Sequence, residues 1–215
     1  MVTRKARLGF FASHGGSNFQ SVVEACHTGM IDAEAGLVVC NNKNAMVLER
    51  AEKLRVPSLC VNRKIAGSEE QLDLLILQEL AQYEVDLVVL AGYMKKITPK
   101  VLEAYDGRIL NIHPALLPKF GGKGMYGMHV HEAVVASGAK ESGASIHVVT
   151  TNYDEGPILA QEAVDLEAEE SAESLAKKVL VIEHQLYPRT IQAVLKGQLH
   201  LPEPGETTLR KRLAA

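Results

Sequence analysis

Asn111-Ile112-His113-Pro114 is the segment of this sequence best suited to chemistry. Placed at the end of a strand, Asn111 and His113 lie two residues apart and project to the same side. A neutral amide can donate a hydrogen bond to an oxygen that is becoming negative, and an imidazole can carry a proton near neutral pH. Together they suit acyl transfer to an amine, in which a carbonyl carbon passes through a tetrahedral state. The competing reading is a strand end whose Asn and His are satisfied by neighbouring backbone. Pro114 stiffens the chain just beyond under either reading.

Two other segments could complete such a site. Ser13-His14-Gly15-Gly16-Ser17-Asn18 falls where an apolar run gives way to a helical pattern. Glycines permit a sharp turn there, and helix-start amides beside a hydroxyl and a carboxamide suit a phosphate. A tight turn with Ser17 or Asn18 capping the helix explains the same residues. Neither GxGxxG nor GxxxxGK[ST] is present at this strand-to-helix turn, so the dinucleotide and P-loop patterns both fail there. Thr151-Asn152-Tyr153-Asp154-Glu155-Gly156-Pro157 reads as ordinary turn chemistry. An Asp154 carboxylate beside an imidazole would instead favour the imidazolium, but spacing alone does not bring the two together. His129 and His131 have the spacing of a metal-binding strand without a third ligand tied to them, so no metal site is expected. Lys95-Lys96 reads as solvated surface, and Glu183-His184 as helix polarity unless that helix lines a cleft.

These segments need a frame. Arg7–Ala12, Leu37–Cys40, Pro57–Val61, Leu87–Leu90 and Ile109–Ile112 are short, continuous apolar runs, as expected of strands covered on both faces. Between them Ser17–Thr28, Ala45–Arg55 and Ser68–Tyr83 carry helical spacing, with Leu72, Leu75, Ile76, Leu80 and Tyr83 on one stripe. The alternation predicts an α/β fold with a doubly wound, mostly parallel sheet. After a glycine-rich stretch, Gly121–Gly127, a short helix near His131–Ser137 is expected. Additional strands follow at Ala144–Thr150 and Pro157–Val164, then a long helix at Ser171–Lys196. Residues 1–200 read as a single domain and 201–215 as a loosely docked tail. In such a sheet ligands gather beyond the carboxyl ends of the strands, where Ser13–Asn18, Gly92–Thr98 and Asn111–Pro118 all fall.

Composition narrows the function. The 215 residues are 47% hydrophobic and 23% charged, the balance of a globular protein. A net charge of −3 gives no electrostatic case for nucleic acid, and no apolar run is long enough for a membrane helix. Three cysteines without CxxC spacing argue against a disulfide framework or a thiolate zinc site and for a reducing cytoplasm.

Read in order, GGSN at Gly15–Asn18, LAGYM at Leu90–Met94, LNIHPALLP at Leu110–Pro118, SIHVV at Ser145–Val149, DEGPIL at Asp154–Leu159 and EHQLYP at Glu183–Pro188 resemble the folate-dependent formyltransferases. The resemblance runs from about Lys5 to Gly197, and within the family it is to the glycinamide ribonucleotide branch. It implies a Rossmann-like formyltransferase fold and a catalytic trio of Asn111, His113 and Asp154. Gly16, Ser17 and Asn18 would hold the substrate phosphate, and Glu183 the ribose or amine end. Met94, Lys95, Lys96 and Ile97, with Asn111, Thr150, Thr151, Asn152, Tyr153 and Asp154, would line the pocket for the co-substrate 10-formyltetrahydrofolate. The implied reaction is direct attack of the amine on the formyl carbon without a metal, with Asp154 keeping His113 protonated. The implied partners are these two small molecules; a homodimer is compatible with the sequence. Against the family's habit, His14-Gly15 replaces glycine and a polar residue, Glu69 and Lys95 stand where arginine is frequent, and Gly121–His129 is longer.

Overall fold

In the computed structural model, which describes residues 4–203 and 205, seven strands form one sheet in the order β3-β2-β1-β4-β5-β6-β7. The first five are parallel: β1 (Ala6–Ala12), β2 (Ala33–Cys40), β3 (Ser58–Cys60), β4 (Leu87–Leu90) and β5 (Ile109–His113). β6 (Glu141–Val148) and β7 (Ile158–Asp165) extend the sheet antiparallel beyond β5. This is the expected doubly wound, mostly parallel α/β sheet with added strands in the second half.

The apolar runs are continuous because the sheet is covered twice. Leu8, Phe10 and Ala12 of β1, Val38 and Cys40 of β2, and Val89 of β4 share one core. Helices α1 (Ser17–His27), α2 (Met46–Lys53) and α7 (Ala172–Leu195) cover that face. Phe11, Leu37, Val39, Val88 and Leu90 turn to the other face and meet α4 (Glu69–Gln82) through Leu72, Ile76 and Leu80. Ser68 accepts a hydrogen bond from the Gln71 amide and so caps α4, while Ser171 does the same for α7 through Ser174. Leu75 of the expected stripe lies at its edge and stays exposed.

Two short helices, α3 (Arg63–Ala66) and α5 (Pro99–Ala104), had no counterpart in the sequence reading; four and six residues are too few to display a helical period. The helix expected near His131–Ser137 is α6, Met128–Ala136. Among the described residues no helix is long and apolar enough to cross a membrane. At the start of the expected tail, Leu201 packs on the core and the Gly205 amide donates to the Asp106 carboxylate at 2.6 Å. Residues 206–215 lie outside the described residues.

Candidate active site

Strand order reverses between β1 and β4, and a cleft of about 770 Å³ opens at the carboxyl ends of the strands there. The loop after β1 forms one wall and the loop after β4 another. Ser13 stitches them together: its amide donates to the Gly92 carbonyl at 3.1 Å, and its hydroxyl accepts from the Met94 amide at 2.8 Å.

Asn111 and His113 stand at the end of β5 and both line the cleft. Their cross-strand partners on β6 are His147 and Ser145. Ser145 holds the chain beyond His113 in a turn, its hydroxyl donating to Ala115 O at 2.6 Å and accepting from the Leu117 amide at 2.9 Å. That turn returns the Phe120 carbonyl to within 2.8 Å of His113 Nε2. Because a carbonyl only accepts, Nε2 carries the proton, and Nδ1 is the nitrogen left facing Asp154.

Asp154 sits between two histidines. Its Oδ2 is 3.6 Å from His113 Nδ1 and its Oδ1 is 3.4 Å from His147 Nε2. The Gly122 amide, from the glycine-rich stretch, also donates to Oδ2 at 2.9 Å. Asp154 adopts a left-handed φ of 56°, and the turn around it closes tightly: a Cβ on Gly156 would lie 1.7 Å from the Val148 carbonyl oxygen. Burial pushes the Asp154 carboxyl up, but the His147 and His113 rings in their imidazolium forms, with the Gly122 amide, outweigh it and hold the group below its ordinary value.

His113 is 3% exposed. Burial lowers its pKa more than Asp154 and the Phe120 carbonyl raise it, so the ring sits below its ordinary value. The sequence expectation that Asp154 keeps His113 protonated is thereby corrected. Asp154 does favour the imidazolium, but desolvation of the ring outweighs it.

His147 is the residue the sequence reading passed over. Its Nδ1 donates to the Val148 carbonyl at 3.1 Å, and its Nε2 lies 3.0 Å from Asn111 Nδ2. In the tautomer that first bond requires, Nε2 accepts from the Asn111 amide, whose second N–H remains for a ligand oxygen. A buried imidazole inside the apolar run SIHVV was the available signal.

At the far end of the cleft lies the Gly15–Asn18 loop. Gly16, at φ 73°, is the N-cap of α1, and no side chain caps that helix, so the alternative reading of Ser17 or Asn18 as a cap does not hold. Asn18 instead donates to Glu183 Oε2 at 2.8 Å across 165 residues of sequence. Glu183 lines the cleft from α7 and is buried, and burial raises its carboxyl to about 7 against the opposing bond from Asn18. One helical turn later, the Tyr187 hydroxyl lies 3.1 and 3.0 Å from the carbonyls of Leu90 and Leu110 and shares its proton between them. This fixes α7, and with it Glu183, against the ends of β4 and β5.

Met94, Lys95, Lys96 and Ile97 line the third side, facing Thr150, Asn152 and Tyr153 of the turn after β6. Lys96 Nζ lies 5.9 Å from the centre of the Tyr153 ring. Thr151 is exposed on that turn and does not line the cleft, nor does Glu69, in the first turn of α4. His129 and His131 sit on helix α6 rather than on a strand, so they project apart. His131 is buried, while His129 is exposed and 3.3 Å from Glu132. Among the described residues no group of three or more His, Cys, Asp or Glu is arranged to hold a metal ion.

An amide donor, an imidazole and a carboxylate thus meet between an uncapped helix start and a pair of lysines. Comparison with known proteins points the same way. The sequence profile of the formyl transferase family matches residues 6–191. A chloroplastic phosphoribosylglycinamide formyltransferase of Arabidopsis thaliana is 41% identical over 210 residues, covering 97% of this chain and 72% of that protein. A phosphoribosylglycinamide formyltransferase of Bacillus subtilis is 37% identical, with 86% and 92% covered. The crystal structure of glycinamide ribonucleotide transformylase 1 from Symbiobacterium toebii superposes with a TM-score of 0.86 at 34% identity, covering 94% of this chain and 92% of that one. With the sheet order, the cleft and the sequence all in agreement, this chain belongs to the formyl transferase family, among its phosphoribosylglycinamide formyltransferases.

Proposed function

We propose that this protein transfers the formyl group of 10-formyltetrahydrofolate to the amine of glycinamide ribonucleotide, a step of purine synthesis, by direct attack and without a metal. The observation that carries the reading is the placement of Asp154 between His113 and His147, with Asn111 bonded to the second imidazole. Binding alone would not call for an amide, two imidazoles and a carboxylate around one point. In this assignment Gly16, Ser17 and Asn18 hold the phosphate and Glu183 the ribose or amine end. Met94–Ile97 and the Thr150–Asp154 turn take the folate, and the cleft is near the upper end of the usual size range for small-molecule pockets.

The amine attacks the formyl carbon, a C–N bond forms, and the carbonyl oxygen becomes an oxyanion. The free N–H of Asn111 donates to that oxygen, with His147 orienting the amide. Burial keeps His113 below its ordinary pKa. The new negative charge is a second anion beside the ring and shifts the balance toward imidazolium as the tetrahedral state forms. Stabilisation is then greatest where it accelerates the step. The bond from carbon to the folate nitrogen breaks, and the proton lost by the amine ends on that nitrogen, passing by way of His113 and Asp154. A cytoplasmic location belongs to the same reading and rests on the three free thiols.

Turnover of formyl-folate measured with glycinamide ribonucleotide, with methionyl-tRNA and with water alone separates this reading from other formyl transfers and from hydrolysis. Rapid transfer to the ribonucleotide alone is expected, undiminished by prolonged chelation. Activity lost on chelation and restored by a divalent ion would overturn the metal-free step.

A further inference from the structure

We propose that Arg50 is the positioning residue of the phosphate loop, locking the peptides of Gly15 and Gly16 in the orientation that receives the substrate's phosphate. The inference rests on the assignment of Gly16–Asn18 to that group. Helix α2 is pressed against the loop at three points. The Val47 amide donates to the His14 carbonyl at 3.0 Å. The Val47 side chain fills the space beside Gly16, where a Cβ would come within 2.4 Å of its Cγ2. Arg50 Nε donates to the Gly15 carbonyl at 2.8 Å.

The same guanidinium reaches further. A second nitrogen donates to Gln20 Oε1 on α1, and the third faces Met46 Sδ at 3.6 Å. Gln20 in turn donates to Glu24 at 2.6 Å. One planar fork therefore holds the loop, α1 and α2 in register. All three of its acceptors are neutral, so none of them cancels its charge.

Peptide geometry explains why this matters. In a trans peptide the carbonyl and the N–H point in opposite directions. With the His14 and Gly15 carbonyls drawn toward α2, the Gly15 and Gly16 N–H groups point away from it. Two consecutive glycines are the least able to hold such an orientation unaided: Gly15 has open space around its Cα, and Gly16 already sits at φ 73°. Without Arg50 the Gly15–Gly16 peptide is free to rotate and to present a carbonyl dipole where an anion must sit. A fixed array of N–H groups binds a phosphate, whereas a mobile one must be ordered at each binding event.

The test uses the full chain and two amine substrates, glycinamide ribonucleotide and its dephosphorylated riboside. Arg50→Ala should raise KM for the ribonucleotide about ten- to a hundredfold, the range of a lost hydrogen bond to a charged group. kcat and the folate KM should stay within about twofold. For the riboside, kcat/KM should be the same in wild type and variant, because there is no phosphate to receive. Arg50→Lys keeps the charge but cannot reach Gly15 and Gln20 together. It should show the same selective loss at smaller size, and it serves where the alanine variant does not fold. Equal losses on both substrates, or no loss on either, would overturn the proposal. Ser17→Ala separates that failure from failure of the phosphate assignment. If Ser17→Ala discriminates the two substrates and the Arg50 variants do not, only the role of Arg50 falls. If neither does, the loop assignment falls with it.

Discussion

Replacing Glu183 by glutamine should make this protein more stable above neutral pH and a poorer enzyme. The carboxyl is 8% exposed, and burial raises it from an ordinary 4.5 to about 7. The folded state therefore holds this proton more tightly than the unfolded state does. The stability it contributes is intact below about pH 4.5, declines as pH rises through about 7, and is lost above that. A shift of this size corresponds to roughly 3 kcal/mol at about 1.36 kcal/mol per pH unit. Glutamine keeps the shape and a partner for Asn18 but has no charge to bury, so its stability is free of this dependence. Urea unfolding of both proteins at several pH values gives the difference directly. His113, His131 and His184, all lowered by burial, titrate alike in both and cancel. The variant should match the wild type near pH 4.5 and exceed it by about 3 kcal/mol at pH 8, or roughly 6–12 °C in Tm for a chain of this size. KM for the ribonucleotide should rise, since the carboxylate that costs stability is the one assigned to the substrate. A stability difference that stays flat from pH 5 to 8 would show that Glu183 is not buried as a charge, and the argument would fail.

His113→Ala should lower kcat by about two to four powers of ten, the usual range for a lost acid–base group, with far smaller changes in both KM values; near-normal turnover would remove His113 from the chemistry. Asp154→Asn deletes the anion that opposes burial of the ring, so the His113 pKa should fall below its wild-type position, read by NMR titration, and turnover should fall with it. An unchanged pKa would detach Asp154 from His113.

How much of this site could be read in the sequence depended on whether its geometry was local. Asn111 and His113 share a side because strand alternation is a two-residue rule, and that rule holds wherever β5 packs. The paired faces of β1, β2 and β4 were legible for the same reason, as unbroken apolar runs between helical patterns. Asp154 looked like a turn residue and is one; its partners come from β5–β6 pairing and from the return of the Gly121–Gly127 stretch, neither of which spacing reveals. Asn18 reads as a cap in the sequence because the nearest helix is its own, yet its partner is Glu183. His129 and His131 have the spacing of a strand pair, but on a helix two residues span just over half a turn and point apart. Burial was the largest omission. The sign of Asp154's effect on His113 followed from charge alone, but the net position of the ring depended on a desolvation that only the folded chain displays.

The hydroxyl of Tyr187 also bears on how the molecule is made. It joins α7, the last helix of the described chain, to carbonyls of β4 and β5 that leave the ribosome long before it. Until α7 emerges, the sheet face bearing Phe10, Val38 and Leu110 lacks the cover of Leu175, Val179, Leu186 and Ile191. The nascent chain therefore carries a formed or forming sheet with one apolar side covered only in part, by α1 and α2, the kind of surface that chaperones hold and that aggregates when they do not. Because Glu183 arrives on the same helix, the step that hides this surface also finishes the cleft, and a chain able to bind its substrate is one whose synthesis has passed its most vulnerable stage.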